Sequence, residues 1–219
     1  MDRICDLIIA QNLNITWSCN ARADTPYETL KKMKAAGCRL LVVGYESGSQ
    51  EILNNINKGI TLEQSREFAL NTRKLGLKTF GCFMIGLSGE TRKTIAQTFN
   101  FAKETDADMV FFQQAVPFPG TDFFNFCKEN NMLKTENFDK WLTDQGYLDC
   151  LVNYPEFNAD EVESIRNGLM SKYYFSISYI MKTLFRNPQF SELKRISKAA
   201  LTYIVFRIKK AFLWNTAEK

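Results

Sequence analysis

The chain has 219 residues, of which 45% are hydrophobic, and a formal net charge of +4; this length allows one globular core plus a tail. It contains no histidine, so Ser–His–Asp and Cys–His nucleophile systems, imidazole general bases and HExxH zinc sites are excluded. Any chemistry must therefore rely on carboxylates, Lys or Arg, backbone dipoles or a bound cofactor.

The predicted helices and strands alternate through the first half of the chain. In chain order they are a helix over 2–11, a strand over 14–19, a helix over 25–37, a strand over 40–43, helices over 49–56 and 61–75, a strand over 78–85, a helix over 91–104, a strand over 109–115 and a helix over 121–130. Capping-box patterns mark two helix starts, at Thr25 with Glu28 and at Thr61 with Gln64. Four strand–loop–helix units in succession predict a parallel sheet with crossover helices.

The second half is predicted to be mainly helical. Asn158, with Glu161 three residues later, begins a helix that continues, rich in aromatic residues, to Phe212 and is interrupted at Pro188. Residues 182–210 hold eight Lys or Arg against one acid, a net charge of +7. Two interpretations of this basic helix stay open: contact with a membrane surface, or packing of its aromatic residues on the rest of the protein, which is favoured. No basic-aromatic nucleic-acid module is found, so no nucleic-acid partner is predicted.

The cysteines and the N-terminus indicate a cytoplasmic, soluble protein. Six scattered cysteines include no CxxC pair, which predicts reduced thiols with neither a disulfide scaffold nor a local metal site. Residues 1–10 contain two Asp and no long apolar core, so no signal peptide is predicted. The longest apolar run near the C-terminus, residues 203–206, is too short to cross a bilayer.

Residues 37–49 are the stretch around which we expect the site to form. The run from Leu40 to Val43 is uninterrupted, as in a parallel strand covered on both faces. Glu46 follows in a turn rich in Gly and Ser. Because α/β folds bind ligands at the carboxyl ends of parallel strands, the sequence predicts a functional edge there.

Six motifs occur in one order along residues 1 to about 180. They are Trp17-Ser18-Cys19 with Arg22 and Asp24; Met33-Lys34-Ala35-Ala36-Gly37-Cys38; Gly44-Tyr45-Glu46-Ser47-Gly48-Ser49; Asn57-Lys58-Gly59; Met84-Ile85-Gly86-Leu87-Ser88-Gly89-Glu90-Thr91; and Pro117-Phe118-Pro119-Gly120-Thr121. Together they resemble the radical S-adenosylmethionine (radical SAM) enzymes, especially the subgroup with a cobalamin-binding domain ahead of the barrel.

The resemblance implies an α/β fold, a partial (β/α) TIM-like barrel with about four parallel strands, over residues 1–125, and a helical C-terminal extension over 126–219. Family members cleave S-adenosylmethionine with an electron from a 4Fe–4S cluster, giving a 5′-deoxyadenosyl radical. The CxxxCxxC loop that holds the cluster is absent here. The resemblance therefore implies the C-terminal portion of such an enzyme, whose partners are a missing N-terminal cluster and cobalamin portion and a small-molecule substrate.

The resemblance also implies cofactor-binding residues after the second predicted strand. Glu46 matches an acidic or amide position that contacts the ribose hydroxyls, a task that suits a carboxylate because it accepts two hydrogen bonds. Ser47 and Gly48 are its neighbours in the motif and add a hydroxyl and a close backbone approach. Lys58 matches a basic position that pairs with the methionine carboxylate.

The remaining predicted site residues lie at other strand ends. Gly86 opens the loop that in relatives approaches the adenine, and Cys82 lines the same pocket. Glu90 belongs to the same motif, although capping of the following helix is favoured for it. Arg22 and Gln113 are predicted to face the substrate. No catalytic residue and no metal ligand is assigned.

Each assignment has a simpler alternative. Glu46 as a helix N-terminal charge, Lys58 as a surface lysine and the thiols as core residues need no ligand. Two other functions are alternatives to the radical SAM hypothesis. One is a cluster-free remnant that acts as a binding or interaction module. The other is an unrelated α/β enzyme that binds phosphate, which is disfavoured because neither glycine turn matches GxGxxG or GxxxxGK[ST].

Overall fold

A computed structural model describes residues 1–143 and 146–186 of the chain. Its strands are β1 (Trp17–Arg22), β2 (Cys38–Glu46), β3 (Lys78–Ile85) and β4 (Met109–Gln114). Its α-helices are α1 (Asp2–Ala10), α2 (Tyr27–Ala35), α3 (Gln50–Asn55), α4 (Leu62–Lys74), α5 (Arg92–Glu104), α6 (Asp122–Glu129), α7 (Ala159–Tyr174) and α8 (Ile177–Arg186), and a 3₁₀-helix spans Phe138–Lys140.

The four strands form one parallel sheet in the order β1-β2-β3-β4. The predicted succession of strand–helix units is therefore confirmed, and so is the α/β fold class. Because all strands are parallel, their carboxyl ends lie at the same end of the sheet, which we call the rim. The rim carries the β2–α3 and β3–α5 loops.

The core lies on the face of the sheet that the helices cover. Tyr45 of β2 stacks on Phe83 of β3 with ring centroids 5.4 Å apart, and Phe101 of α5 meets Phe83 edge-on at 6.4 Å. Full burial of such a ring stabilises the fold by about 1.5–3 kcal/mol. Phe112 of β4 continues this aromatic row at 5.6 Å from Phe83.

The opposite face of the sheet, the open face, is only partly covered. Burial alternates along β2, with Leu41, Val43 and Tyr45 buried and Leu40 and Val42 half-buried. The prediction that both faces of this strand are covered is therefore wrong for the described residues. The uninterrupted apolar run reflects the apolar character of the open face rather than its full burial.

Several predicted boundaries are also corrected. β1 begins at Trp17 instead of residue 14 and extends through Arg22, which was expected in a loop. The capping box at Thr25 is absent, because Thr25 Oγ1 donates to the Arg22 carbonyl and Pro26 caps α2 without a side-chain bond. The capping box at Thr61 with Gln64 is confirmed.

The C-terminal half begins with long loops and then becomes helical. Asn158 and Glu161 exchange hydrogen bonds at the start of α7, as predicted. The helix ends earlier than predicted, at Tyr174, and α8 starts at Ile177 after a Ser176 cap that accepts from Tyr179 N. The predicted interruption at Pro188 and the helix beyond it lie outside the described residues.

The two outer strands of the sheet, β1 and β4, differ in how their free sides are covered. The Phe112 amide of β4 donates to Met170 Sδ of α7 at 3.5 Å, so a helix covers this edge. No described strand pairs with the other side of β1, which leaves that edge open.

The chain forms two compact units, Met1–Met170 and Ser171–Lys219. The domain boundary predicted after residue 125 stays a prediction. Among the described helices, none has both the length and the apolar character that crossing a bilayer requires.

Candidate functional site

Glu46 ends β2 at the rim in a conformation that few side-chain-bearing residues adopt. Its φ of +62° lies in the left-handed region, and the register between β2 and β3 shifts between Gly44 and Glu46. This bulge turns the Glu46 carboxylate back along its own strand, where a Cβ on Gly44 would lie 2.4 Å from Glu46 Oε1. The side chain therefore lies over Gly44.

Lys58 completes an ion pair with Glu46. Lys58 Nζ donates to Glu46 Oε1 at 2.6 Å, and the two side chains are 19% and 16% exposed. A Cβ on Gly44 would also lie 3.2 Å from Lys58 Nζ, so the missing side chain of Gly44 makes room for both groups. The structure thus brings together two of the predicted cofactor residues, as a largely buried acid–base pair at the rim.

Arg22 and Cys82 surround this pair on the open face. Both align with Gly44, Arg22 across the β1–β2 pairing and Cys82 across the β2–β3 pairing. Arg22 Nη2 donates to the Lys58 carbonyl at 3.2 Å and pairs with Asp24 at 3.0 Å. Burial, and then the nearby Glu46 charge, raise the pKa of the Cys82 thiol, which stays protonated at neutral pH.

Gln113 lies farther away on the same face. It is exposed on β4 and aligns with Met84 of β3. Because β3 separates β4 from β2, the backbones of β4 and β2 are about 10 Å apart. The structure therefore does not join Gln113 to the Glu46–Lys58 pair, and its predicted contact with substrate stays a prediction.

Ser47 and Gly48 face the protein interior. The Ser47 hydroxyl is fully buried, lies 3.1 Å from Thr98 Oγ1 of α5, and accepts from the Ser49 amide. The Gly48 amide donates to the same Thr98 oxygen at 3.0 Å. These contacts fasten the β2–α3 loop to α5, and the cofactor roles predicted for Ser47 and Gly48 stay predictions.

Glu90 is a buried carboxylate that organises the second rim loop. Its Oε2 accepts from the amides of Gly86 and Leu87, while no described group bonds to its Oε1. Helix α5 is capped by Thr91, so the favoured capping role of Glu90 is wrong. Burial raises the pKa of Glu90 to about 7, although the hydrogen bonds from the Gly86 and Leu87 amides lower this pKa.

Tyr154 holds the same loop from the C-terminal half of the chain. Its hydroxyl donates to the Gly86 carbonyl, and a Cβ on Gly86 would lie 3.3 Å from the Tyr154 ring. Gly86 has a φ of +85°, which glycine adopts without strain. A ligand would thus have to approach Gly86 from a side that Tyr154 leaves free. Sequence reasoning missed Tyr154 because no local pattern links positions 68 residues apart.

The raised pKa of Glu90 predicts a pH-dependent stability. Between the ordinary value of 4.5 and about 7, the folded chain keeps the Glu90 proton that the unfolded chain has released. The free energy of unfolding therefore decreases as pH rises through this window, by on the order of 2 kcal/mol. We expect Glu90→Gln to remove most of this decrease in urea denaturation at about pH 5 and about pH 8. Glu129→Gln, an exposed control on α6, should retain it.

The described residues contain no group of three or more His, Cys, Asp or Glu placed to hold a metal ion. All six cysteines are free thiols, and four of them, Cys5, Cys38, Cys127 and Cys150, are buried. With no CxxxCxxC loop in the sequence either, this chain's residues do not fit a 4Fe–4S cluster. They do offer the Glu46 carboxylate and the Lys58 ammonium to a ligand that carries hydroxyls and a carboxylate.

Comparison with known proteins adds a family and several relatives. Residues 1–102 match the model of the radical SAM superfamily. An uncharacterized methyltransferase of Pyrococcus horikoshii is 33% identical over 181 residues, which is 82% of this chain and 39% of that protein. A bacteriochlorophyllide d C-8(2)-methyltransferase of Chlorobaculum tepidum is 30% identical over 115 residues, 52% of this chain and 26% of that protein. The chain thus spans well under half the length of either relative.

Among solved structures, the radical S-adenosylmethionine methyltransferase TsrM of Kitasatospora setae, with cobalamin and a 4Fe–4S cluster bound, has a TM-score of 0.54. It is 22% identical, and the match covers 59% of this chain and 26% of that one. At this identity the likeness shows a shared fold.

Proposed function

Because residues 1–102 belong to the radical SAM superfamily, we propose that this chain supplies the S-adenosylmethionine-binding part of a radical SAM barrel. The observation that carries the proposal is the Glu46–Lys58 pair, held at the carboxyl end of β2 by the space above Gly44. A carboxylate there can accept from the vicinal ribose hydroxyls, and the lysine can pair with the methionine carboxylate.

The other rim residues position the two loops that face the same ligand. The Glu90 carboxylate accepts a hydrogen bond from the Gly86 amide, and the Tyr154 hydroxyl donates one to the Gly86 carbonyl. These two hydrogen bonds hold the Gly86 backbone in place for the adenine. The Thr98 bonds to Ser47 and Gly48 fix the turn that follows Glu46. These residues orient the ligand and carry out no chemical step themselves.

The chain is proposed to be the C-terminal portion of the complete enzyme. The match covers only 39% of the Pyrococcus horikoshii relative, and this chain's own residues do not fit the cluster, so the cluster and any cobalamin would be held by a separate N-terminal portion. The open edge of β1 supports this arrangement because a further parallel strand can pair there. The whole would perform 5′-deoxyadenosyl-radical or cobalamin-dependent methyl-transfer chemistry on a small molecule in the cytoplasm.

Calorimetric titration of the purified chain with S-adenosylmethionine tests the proposal. We expect saturable binding that Glu46→Gln weakens about tenfold, since one charge-assisted hydrogen bond is worth about 1.5–3 kcal/mol. Glu51→Gln, an exposed carboxylate in the first turn of α3, is the matched control and should bind as the original chain does. Equal affinity of Glu46→Gln and the original chain would contradict the role of Glu46.

A cluster-free remnant that serves as a binding or interaction module is the second candidate. The absence of a metal-binding group from the described residues, together with the missing CxxxCxxC loop, fits this candidate as well as the first. The same titration separates the two functions. A chain that unfolds cooperatively but does not bind S-adenosylmethionine supports the remnant and refutes the first proposal.

A further inference from the structure

The open face of the sheet carries an apolar surface that continues into the Glu46–Lys58 pair. Gly44, Cys82 and Phe111 align across β2, β3 and β4 in one row. The pair occupies the space above Gly44 in this row. Because side chains in register on neighbouring parallel strands point to the same face, Phe111 and the pair belong to one surface.

A second row lies one step closer to the amino ends of the strands. It contains Asn20, Val42, Phe80 and Met109. The rings of Phe80 and Phe111 meet edge to face, with their centroids 6.5 Å apart. Phe111 is 40% exposed, and Phe80 and Val42 are half-buried. Two aromatic rings therefore remain accessible beside the pair.

The chemistry of this surface indicates what it binds. Above Lys78, at the amino end, β3 and β4 direct only uncharged side chains to the open face: Phe80, Cys82, Met84, Met109, Phe111 and Gln113. Neutral amides lie on its two sides, Asn20 on β1 and Gln113 on β4, on strands about 14 Å apart. Apolar and aromatic walls with a few polar groups are typical of small-molecule sites, and aromatic rings and thioethers favour other rings. A sugar or a free amino acid would leave its polar groups unpaired here.

We propose that the open face binds the substrate of this protein, and that this substrate is a flat, largely apolar ring system with its polar groups toward Asn20 and Gln113. The inference rests on the proposed function, because S-adenosylmethionine bound by the Glu46–Lys58 pair would lie at the end of the same surface. Phe80 and Phe111 contact the ring and determine the substrate class. The open face thus selects the substrate, while the pair holds the cofactor.

Fluorescence titration of the full chain with N-phenyl-1-naphthylamine, a neutral aromatic probe, tests the proposal. We expect saturable binding that Phe111→Thr weakens about tenfold, because the loss of contact with one aromatic ring costs about that much in affinity. Threonine favours strands, so this variant is expected to fold. Phe80→Thr repeats the test if Phe111→Thr does not unfold cooperatively.

A matched control excludes binding of the probe to another apolar surface. Phe185 is 76% exposed on α8, so Phe185→Thr should bind the probe as the original chain does. The proposal is overturned if the chain does not bind the probe, if the folded Phe111→Thr and Phe80→Thr variants bind it undiminished, or if only Phe185→Thr loses it. It is also overturned if probe binding decreases as the chain concentration rises, since a second copy would then cover the face.

Titration of the same variants with S-adenosylmethionine separates this inference from the proposed function. Phe111→Thr should keep its affinity for S-adenosylmethionine within about twofold, and Glu46→Gln should keep its affinity for the probe, because the two ligands contact different side chains. Binding of S-adenosylmethionine without binding of the probe refutes this inference alone. Binding of the probe without binding of S-adenosylmethionine refutes the proposed function and, with it, the assignment of the face to a substrate.

Discussion

Gly48→Ala is expected to destabilise the chain by about 3 kcal/mol, because a methyl group there has no room. A Cβ at Gly48 would lie 2.5 Å from Phe101 Cβ, 2.6 Å from the Gln97 carbonyl oxygen and 2.7 Å from Thr98 Cα. Two of these three atoms are backbone atoms of α5, so relief requires moving the helix or the β2–α3 loop. Such a movement also breaks the hydrogen bond that the Gly48 amide donates to Thr98 Oγ1.

Urea denaturation followed by circular dichroism measures this effect as a lower transition midpoint. Gly168→Ala is the matched control, because Gly168 lies inside α7 and a Cβ there meets no atom within 4 Å. Alanine favours a helix over glycine by about 1 kcal/mol, so this second variant should be unchanged or more stable. A Gly48→Ala chain as stable as the original would show that the loop and α5 are not in the close contact described.

Gly44→Val is expected to weaken S-adenosylmethionine binding about a hundredfold while the fold is retained. Valine favours strands, but its side chain would take the space of Glu46 Oε1 and Lys58 Nζ. Both atoms are the ends of flexible side chains, so they move away at little cost to folding. The ligand then loses the carboxylate and the ammonium together, which is why the effect exceeds that of Glu46→Gln.

Calorimetric titration and thermal unfolding, carried out on the same sample, separate these two effects. Leu40→Val is the control, since Leu40 lies on the same face of β2 at the amino end of the strand, away from the pair. Undiminished affinity in Gly44→Val would show that the ligand does not use the Glu46–Lys58 pair. Loss of the cooperative transition would show instead that Gly44 is needed for the strand itself.

The site could be predicted in part. That Glu46 and Gly86 lie at the same end of the sheet follows from two adjacent parallel strands, each followed by a glycine-rich turn. The neighbourhood of Lys58 and Glu46 followed only from the family resemblance, because the two residues are 12 positions apart and no pattern between them brings their side chains together. The buried roles of Ser47 and Glu90 could not be predicted, since a polar residue in a turn is expected to be exposed.

The sequence alone determined the alternation of strands and helices, the parallel sheet and the end of the sheet that carries the candidate site. These features follow from periodicity, capping and chain connectivity, which act over a few residues at a time. Only the tertiary structure decided the left-handed conformation of Glu46, the contact of Gly48 with α5 and the hydrogen bond from the Tyr154 hydroxyl to the Gly86 carbonyl. Each of these depends on how distant segments fill the same space, and close packing of that kind leaves no repeating signal along the chain.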